Sequence, residues 1–142
     1  MVSEILVKKL NEDAKLPNRA HENDSGADLF TLCDITIMPH MSTKIPTGIC
    51  IALPEKTSGL VWGKSSLESK GLKVVAGLID AGYRGEVLVC MFNLTNEPIK
   101  LTKGQKIAQL LVMPTYYPKF KTSDTLPDSN RGEGGFGSTG SH

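Results

Sequence analysis

The apolar runs in this chain are short, and most of them are stopped by proline or glycine. Ile35 to Met38 ends at Pro39, Gly48 to Leu53 at Pro54, Leu60 to Trp62 at Gly63, and Ile107 to Met113 at Pro114. Proline brings no N–H to a ladder or a helix interior, and glycine weakens both, so such stops hold the elements to strand length. No segment sustains a helical period over three turns. Within Gly48 to Leu53, Ile49, Ile51 and Leu53 alternate onto one face, as a half-buried strand requires. Val87 to Leu94 is apolar at both alternating sets and reads as a strand covered on both faces. Turn signals at Pro46-Thr47-Gly48, Asn96-Glu97-Pro98 and Lys103-Gly104 separate the runs. Many short strands with this punctuation predict an all-β sandwich, barrel or jelly roll, with one short helix at most, near Ser66 to Lys70.

A chain of 142 residues fits one domain. Its last stretch, Ser123 to His142, has few large apolar residues and alone cannot offset its ordering entropy. The expected organisation is therefore a core over 1–122 and a flexible C-terminal arm over 123–142. The net charge is +1 with scattered Lys and Arg, which leaves no footprint for stable nucleic-acid binding. No run approaches the ~18 apolar residues of a membrane span. Cys33, Cys50 and Cys90 form no C-x-x-C pair and read as small buried thiols. That usage suits a reducing compartment, so the expectation is a soluble intracellular protein. His21, His40 and His142 have no metal-site spacing and read as surface or structural residues.

Five segments carry candidate chemistry. In S-G-A-D-L, Ser25 to Leu29, a small-residue turn delivers Asp28 to an apolar run; the bland alternative is a turn aspartate bonded to a local N–H. In G-K-S-S-L-E-S-K-G, Gly63 to Gly71, Lys64, Ser65 and Ser66 can donate to phosphate oxygens; the alternative is a serine helix cap. In A-G-L-I-D-A-G-Y-R-G-E, Ala76 to Glu86, Asp80 is a candidate general base or water-orienting carboxylate. Tyr83 offers a flat face to a sugar or base there, and Gly85 is a place where a ligand could approach the backbone; the alternative is an ordinary hairpin. In G-Q-K-I-A-Q-L, Gly104 to Leu110, Gln109 interrupts an apolar run and could hold phosphate or metal-bound water; the alternative is a glutamine satisfied within the fold or facing solvent. Finally R-G-E-G-G-F-G-S-T-G, Arg131 to Gly140, sets one arginine and one aromatic among glycines and hydroxyls, which suits an arm closing over an anionic ligand.

In this order, the five segments resemble the five motifs of the trimeric deoxyuridine triphosphatase family, from about Ser25 to Gly140. The resemblance implies a jelly-roll (β-clip-like) subunit in a three-fold homotrimer with active sites shared between subunits. It implies Mg2+-assisted hydrolysis of dUTP to dUMP and pyrophosphate, which limits uracil incorporation into DNA and supplies dUMP for dTMP synthesis. By the same resemblance Asp80 is catalytic. Gly77, Ile79, Asp80, Tyr83, Leu88 and Phe136 bind base and sugar, with uracil read by a hairpin from Val74 to about Leu88. Lys64, Ser65, Ser66, Gln109, Arg131, Gly137, Ser138 and Thr139 bind phosphate, and Asp28 and Gln109 hold the metal through water.

The chain also departs from the family pattern. Gly63-Lys64-Ser65 stands where most cellular members have Pro-Arg-Ser, and resembles the retroviral form. Ala81-Gly82 stands where many members have an acidic residue before the tyrosine, and Gln105-Lys106 replaces the common Asp-Arg. Two other readings compete. A dCTP deaminase shares the implied fold but places a catalytic glutamate on the strand after the Tyr83 turn, where Val87 to Met91 has no carboxylate. A regulatory protein of the same fold would act by binding partners.

Overall fold

The computed structural model describes residues 4–140. Ten strands and one helical turn follow in order: β1 (Leu6–Lys9), β2 (Ala27–Phe30), β3 (Ile35–Ile37), β4 (Ser42–Ala52), β5 (Thr57–Trp62), α1 (Ser65–Glu68), β6 (Leu72–Ala76), β7 (Leu78–Ile79), β8 (Glu86–Asn93), β9 (Ile99–Leu101) and β10 (Lys106–Pro114). They form two four-stranded sheets, β1-β4-β8-β6 and β2-β10-β5-β7, and a small β3-β9 pair. Every pairing is antiparallel.

One apolar cluster joins the layers. It takes Ile45, Ile49 and Ile51 from β4 and Val87, Val89 and Met91 from β8, and meets Leu29, Val61, Ile107 and Leu110 of the facing sheet. The alternation expected at Ile49, Ile51 and Leu53 is present, with all three at 3% exposure or less. At β8 the expectation needs correction. Val87, Val89 and Met91 are buried, but Leu88 on the other face is 40% exposed, because within one chain only one face of this strand meets the core.

Polar groups inside the sandwich are tied to backbone. Asn93, fully buried, donates through Nδ2 to the carbonyls of Ile37 and Glu97 and accepts from the Thr95 N–H. Thr47 donates to the Val87 carbonyl across β4 and β8. No buried side-chain N or O among the described residues lacks a partner, which matters because an unpaired buried polar group costs roughly 1–3 kcal/mol.

Cys33, Cys50 and Cys90 are free and half-buried rather than fully buried. His21 and His40 are exposed, His40 bonding Asn96 at 2.8 Å, and His142 lies outside the described residues. Among the described residues no helix is long and apolar enough to cross a membrane. β10 ends the sheets at Pro114, and residues 116–133 are all exposed.

Candidate active site

The main cleft opens where the β6–β8 ladder stops. That ladder runs from Leu72↔Asn93 to Ala76↔Cys90. At Gly77 the chain then changes sheet: the Gly77 carbonyl accepts the Val61 N–H at 2.9 Å, and β7 pairs with β5 through Leu60↔Leu78 and Gly59↔Ile79. The expected Val74–Leu88 hairpin is thus a ladder that splays, and the gap is a cleft of about 230 Å³. Gly77, Ile79, Asp80, Tyr83 and Leu88 all line it, together with Val61 and Glu86.

The loop that returns to β8 is held by its own bonds. Tyr83 N–H donates to the Asp80 carbonyl at 3.0 Å, and the Tyr83 hydroxyl donates to the Glu86 carbonyl at 2.8 Å. A Cβ on Gly85 would lie 2.5 Å from the Tyr83 hydroxyl oxygen. Within the chain, what approaches Gly85 is therefore the tyrosine ring. The Asp80 side chain is exposed at the cleft and makes no hydrogen bond or ion pair with any described residue. Glu86 also corrects an expectation, since β8 begins on this residue and it is among those lining the cleft. One of its oxygens, Oε2, accepts the Gly48 N–H at 3.0 Å.

A second polar group lies across β2, β10 and β5, where Asp28, Gln109 and Trp62 stand in one row. Asp28 is 6% exposed, and its two oxygens meet Lys64 Nζ at 2.5 Å and Lys106 Nζ at 3.1 Å. It is a strand residue paired with lysines, not a turn aspartate. Burial works against its charge, but the hydrogen bonds and charges of Lys64 and Lys106 outweigh that and hold the carboxyl below its ordinary range. Gln109 Nε2 donates to the Gly63 carbonyl at 2.8 Å. Its Oε1 packs where a Gly26 side chain would stand, 2.4 Å from an added Cβ. Ser65 and Ser66 begin α1 and are exposed; the cap position belongs to Lys64 and has no side-chain cap bond, so the serine-cap alternative does not hold.

The structure does not bring the arm residues to either group. Arg131 Nε donates to the Gly134 carbonyl at 2.6 Å, and Phe136 is fully exposed in a left-handed turn at φ 49° beside Gly137 at φ 87°. Arg131, Phe136, Gly137, Ser138 and Thr139 all lie outside the cleft lining. Among the described residues, no hydrogen bond or ion pair joins 118–140 to 4–114. The two groups that do form meet in one sheet: the polar group spans β2, β10 and β5, and the cleft takes Val61 of β5 and Ile79 of β7. Sequence reasoning overlooked Lys106 and Glu86. The signal for Lys106 was its place in the Gln105-Lys106 pair, which keeps a cation beside Gln109.

The dUTPase family pattern matches residues 12–140. The deoxyuridine 5′-triphosphate nucleotidohydrolase of Rhodococcus erythropolis is 45% identical, over 97% of this chain and 87% of that protein. That of Clostridium kluyveri is 46% identical, over 96% of this chain and 98% of that protein. Among solved structures, a variant dUTPase of Staphylococcus bacteriophage 80alpha with dUpNHpp superposes with a TM-score of 0.90 at 30% identity, covering 99% of this chain and 100% of that one. A variant dUTPase from phage phi11 of S. aureus, described with a coordinated structural Mg(II) ion, has a TM-score of 0.81 at 26% identity, covering 87% and 98%. With the two-sheet fold and the pattern running through both polar groups, the chain belongs to the dUTPase family.

Proposed function

We propose that this chain hydrolyses dUTP to dUMP and pyrophosphate as a homotrimer whose active sites are shared between subunits. One observation carries the reading: Asp80, Tyr83, Gly77, Ile79 and Leu88 line a single cleft, and the Asp80 carboxylate is free to engage a water molecule. Uracil enters between Gly77 and Leu88, where the splayed ladder leaves backbone groups near the cleft. Any base whose donors and acceptors mismatch those groups leaves them unpaired, a penalty that can discriminate by ~10⁴ or more. Tyr83, fixed by its hydroxyl bond to Glu86, packs against deoxyribose and excludes a 2′-hydroxyl. Asp80 bonds the 3′-hydroxyl and orients the water that attacks the α-phosphorus. Positioning and electrostatic stabilisation supply most of the rate.

Lys64, Ser65, Ser66 and Gln109 take the phosphates, and Arg131, Gly137, Ser138 and Thr139 of the arm close over them, with Phe136 stacking on uracil. Two observations support assembly from several subunits. Among the described residues the arm makes no hydrogen bond or ion pair with its own core, and Leu88 remains exposed. Among the described residues no three His, Cys, Asp or Glu side chains converge. The Asp28 carboxylate and the Gln109 amide, side by side on β2 and β10, are oxygen donors that would hold a magnesium ion through its waters. Magnesium, when bound, neutralises charge on the pyrophosphate leaving group.

The experiment is pyrophosphate release across dUTP and the four common dNTPs, with and without magnesium. The expected result is magnesium-dependent release from dUTP alone. Equal release from dTTP or dCTP would overturn the reading, and ammonia from dCTP would instead place Glu86 in a deaminase.

A further inference from the structure

Lys64 is expected at the phosphates, yet its ammonium is held by Asp28, a carboxylate almost out of solvent. Drawing Lys64 toward a triphosphate would leave that carboxylate without its nearer partner, and an uncompensated buried charge is costly. A second cation already stands beside it: Lys106 Nζ is 3.1 Å from Asp28 Oδ2, and the lysine side chain is about half exposed at 47%.

The backbone puts it there through an irregularity. Along β10 the register steps from Lys106↔Phe30 to Ala108↔Leu29, and both Ile107 and Ala108 are fully buried. In an unbroken strand, neighbours point to opposite faces, so Lys106 and Gln109 would diverge. The bulge changes the parity between them. Lys106 and Gln109 therefore share the outer face of the sheet with Asp28, while Ile107, Ala108 and Leu110 face the core.

We propose that Lys106 is a positioning residue for triphosphate binding: it keeps Asp28 compensated when Lys64 leaves that carboxylate for the phosphates. The inference rests on the dUTP reading above. Lys106 acts through Asp28 and does not itself touch the nucleotide. The cations that lower the Asp28 carboxyl are these same two lysines, which agrees with a shared counter-charge.

The test is a double-mutant cycle on the full chain, read as the dissociation constant for the non-hydrolysable analogue dUpNHpp in magnesium. Lys106→Met should weaken binding about five- to tenfold in the otherwise unchanged protein and by less than about twofold when Asp28 is already Asn. Lys106→Arg should restore binding, and in dUTP turnover the loss should fall on KM rather than kcat. An equal loss in both backgrounds would mean that Lys106 contacts phosphate directly, and no loss in either would mean that it is idle; each overturns the proposal. Lys106→Gln serves the same cycle if methionine at this position promotes association. The unchanged protein must hydrolyse dUTP in the same assay, so failure there condemns the functional reading and not the lysine relay.

Discussion

At the residue scale, the chain separates a free carboxylate from a bound one. Asp80 has no protein partner at the cleft, whereas Asp28 is fixed between two ammonium groups. The depressed Asp28 carboxyl carries a pH signature. A group whose pKa falls on folding contributes stability above its unfolded value, near 3.9 for aspartate, and loses it as pH drops through the folded value. Denaturant unfolding at pH 5 and pH 3 should therefore show a smaller loss of stability for Asp28→Asn than for the unchanged protein. Equal losses would mean that the lysine pairing does not persist in solution. The candidate residues were legible from sequence only as types in an order. Asp28 could be seen, but its burial and its two lysines could not, because both depend on strands β2, β5 and β10 meeting from distant parts of the chain.

At the element scale, glycine decides two local geometries. Gly48 sits at φ 74° between the Pro46 and Cys50 pairings of β4, and an added Cβ would fall 2.9 Å from the Ala14 methyl carbon. Gly48→Ala should destabilise the fold by about 1–3 kcal/mol in urea unfolding, through strain and overpacking together. Gly77 is the contrast, with nothing within 4 Å of an added Cβ. Gly77→Val should leave stability within about 0.5 kcal/mol while raising KM for dUTP, since the new side chain enters open space beside the cleft. A large drop in melting temperature would show instead that the sheet change at Gly77 needs glycine. The short strands and their stops were readable because proline and glycine act locally. The splaying of the β6–β8 hairpin was not, since it arises from competition between β5 and β8 for one segment, and no local pattern records which wins. The long β4 was likewise read only over its second half, because Pro46 interrupts the signal while the strand continues through the bulge.

At the scale of the whole molecule, the core is complete but the proposed active site is not. The two sheets bury a continuous apolar cluster, while among the described residues the arm makes no hydrogen bond or ion pair with the core. Sedimentation should give a species near three times 15.3 kDa, and a stable, active monomer would contradict shared sites. Removing residues after Ser129 should cut turnover sharply with little change in melting temperature, because among the described residues no hydrogen bond or ion pair ties that segment to its own core. The sequence carried the arm's role only as a composition of glycine, hydroxyl, arginine and aromatic, since its ordering depends on a ligand and neighbouring subunits. The central claim is that Asp80 directs the water that attacks dUTP. The most direct measurement is pyrophosphate release by Asp80→Asn beside its affinity for dUpNHpp. The account predicts turnover reduced by roughly 10² to 10⁴ with affinity nearly unchanged, and turnover close to that of the unchanged protein would contradict it.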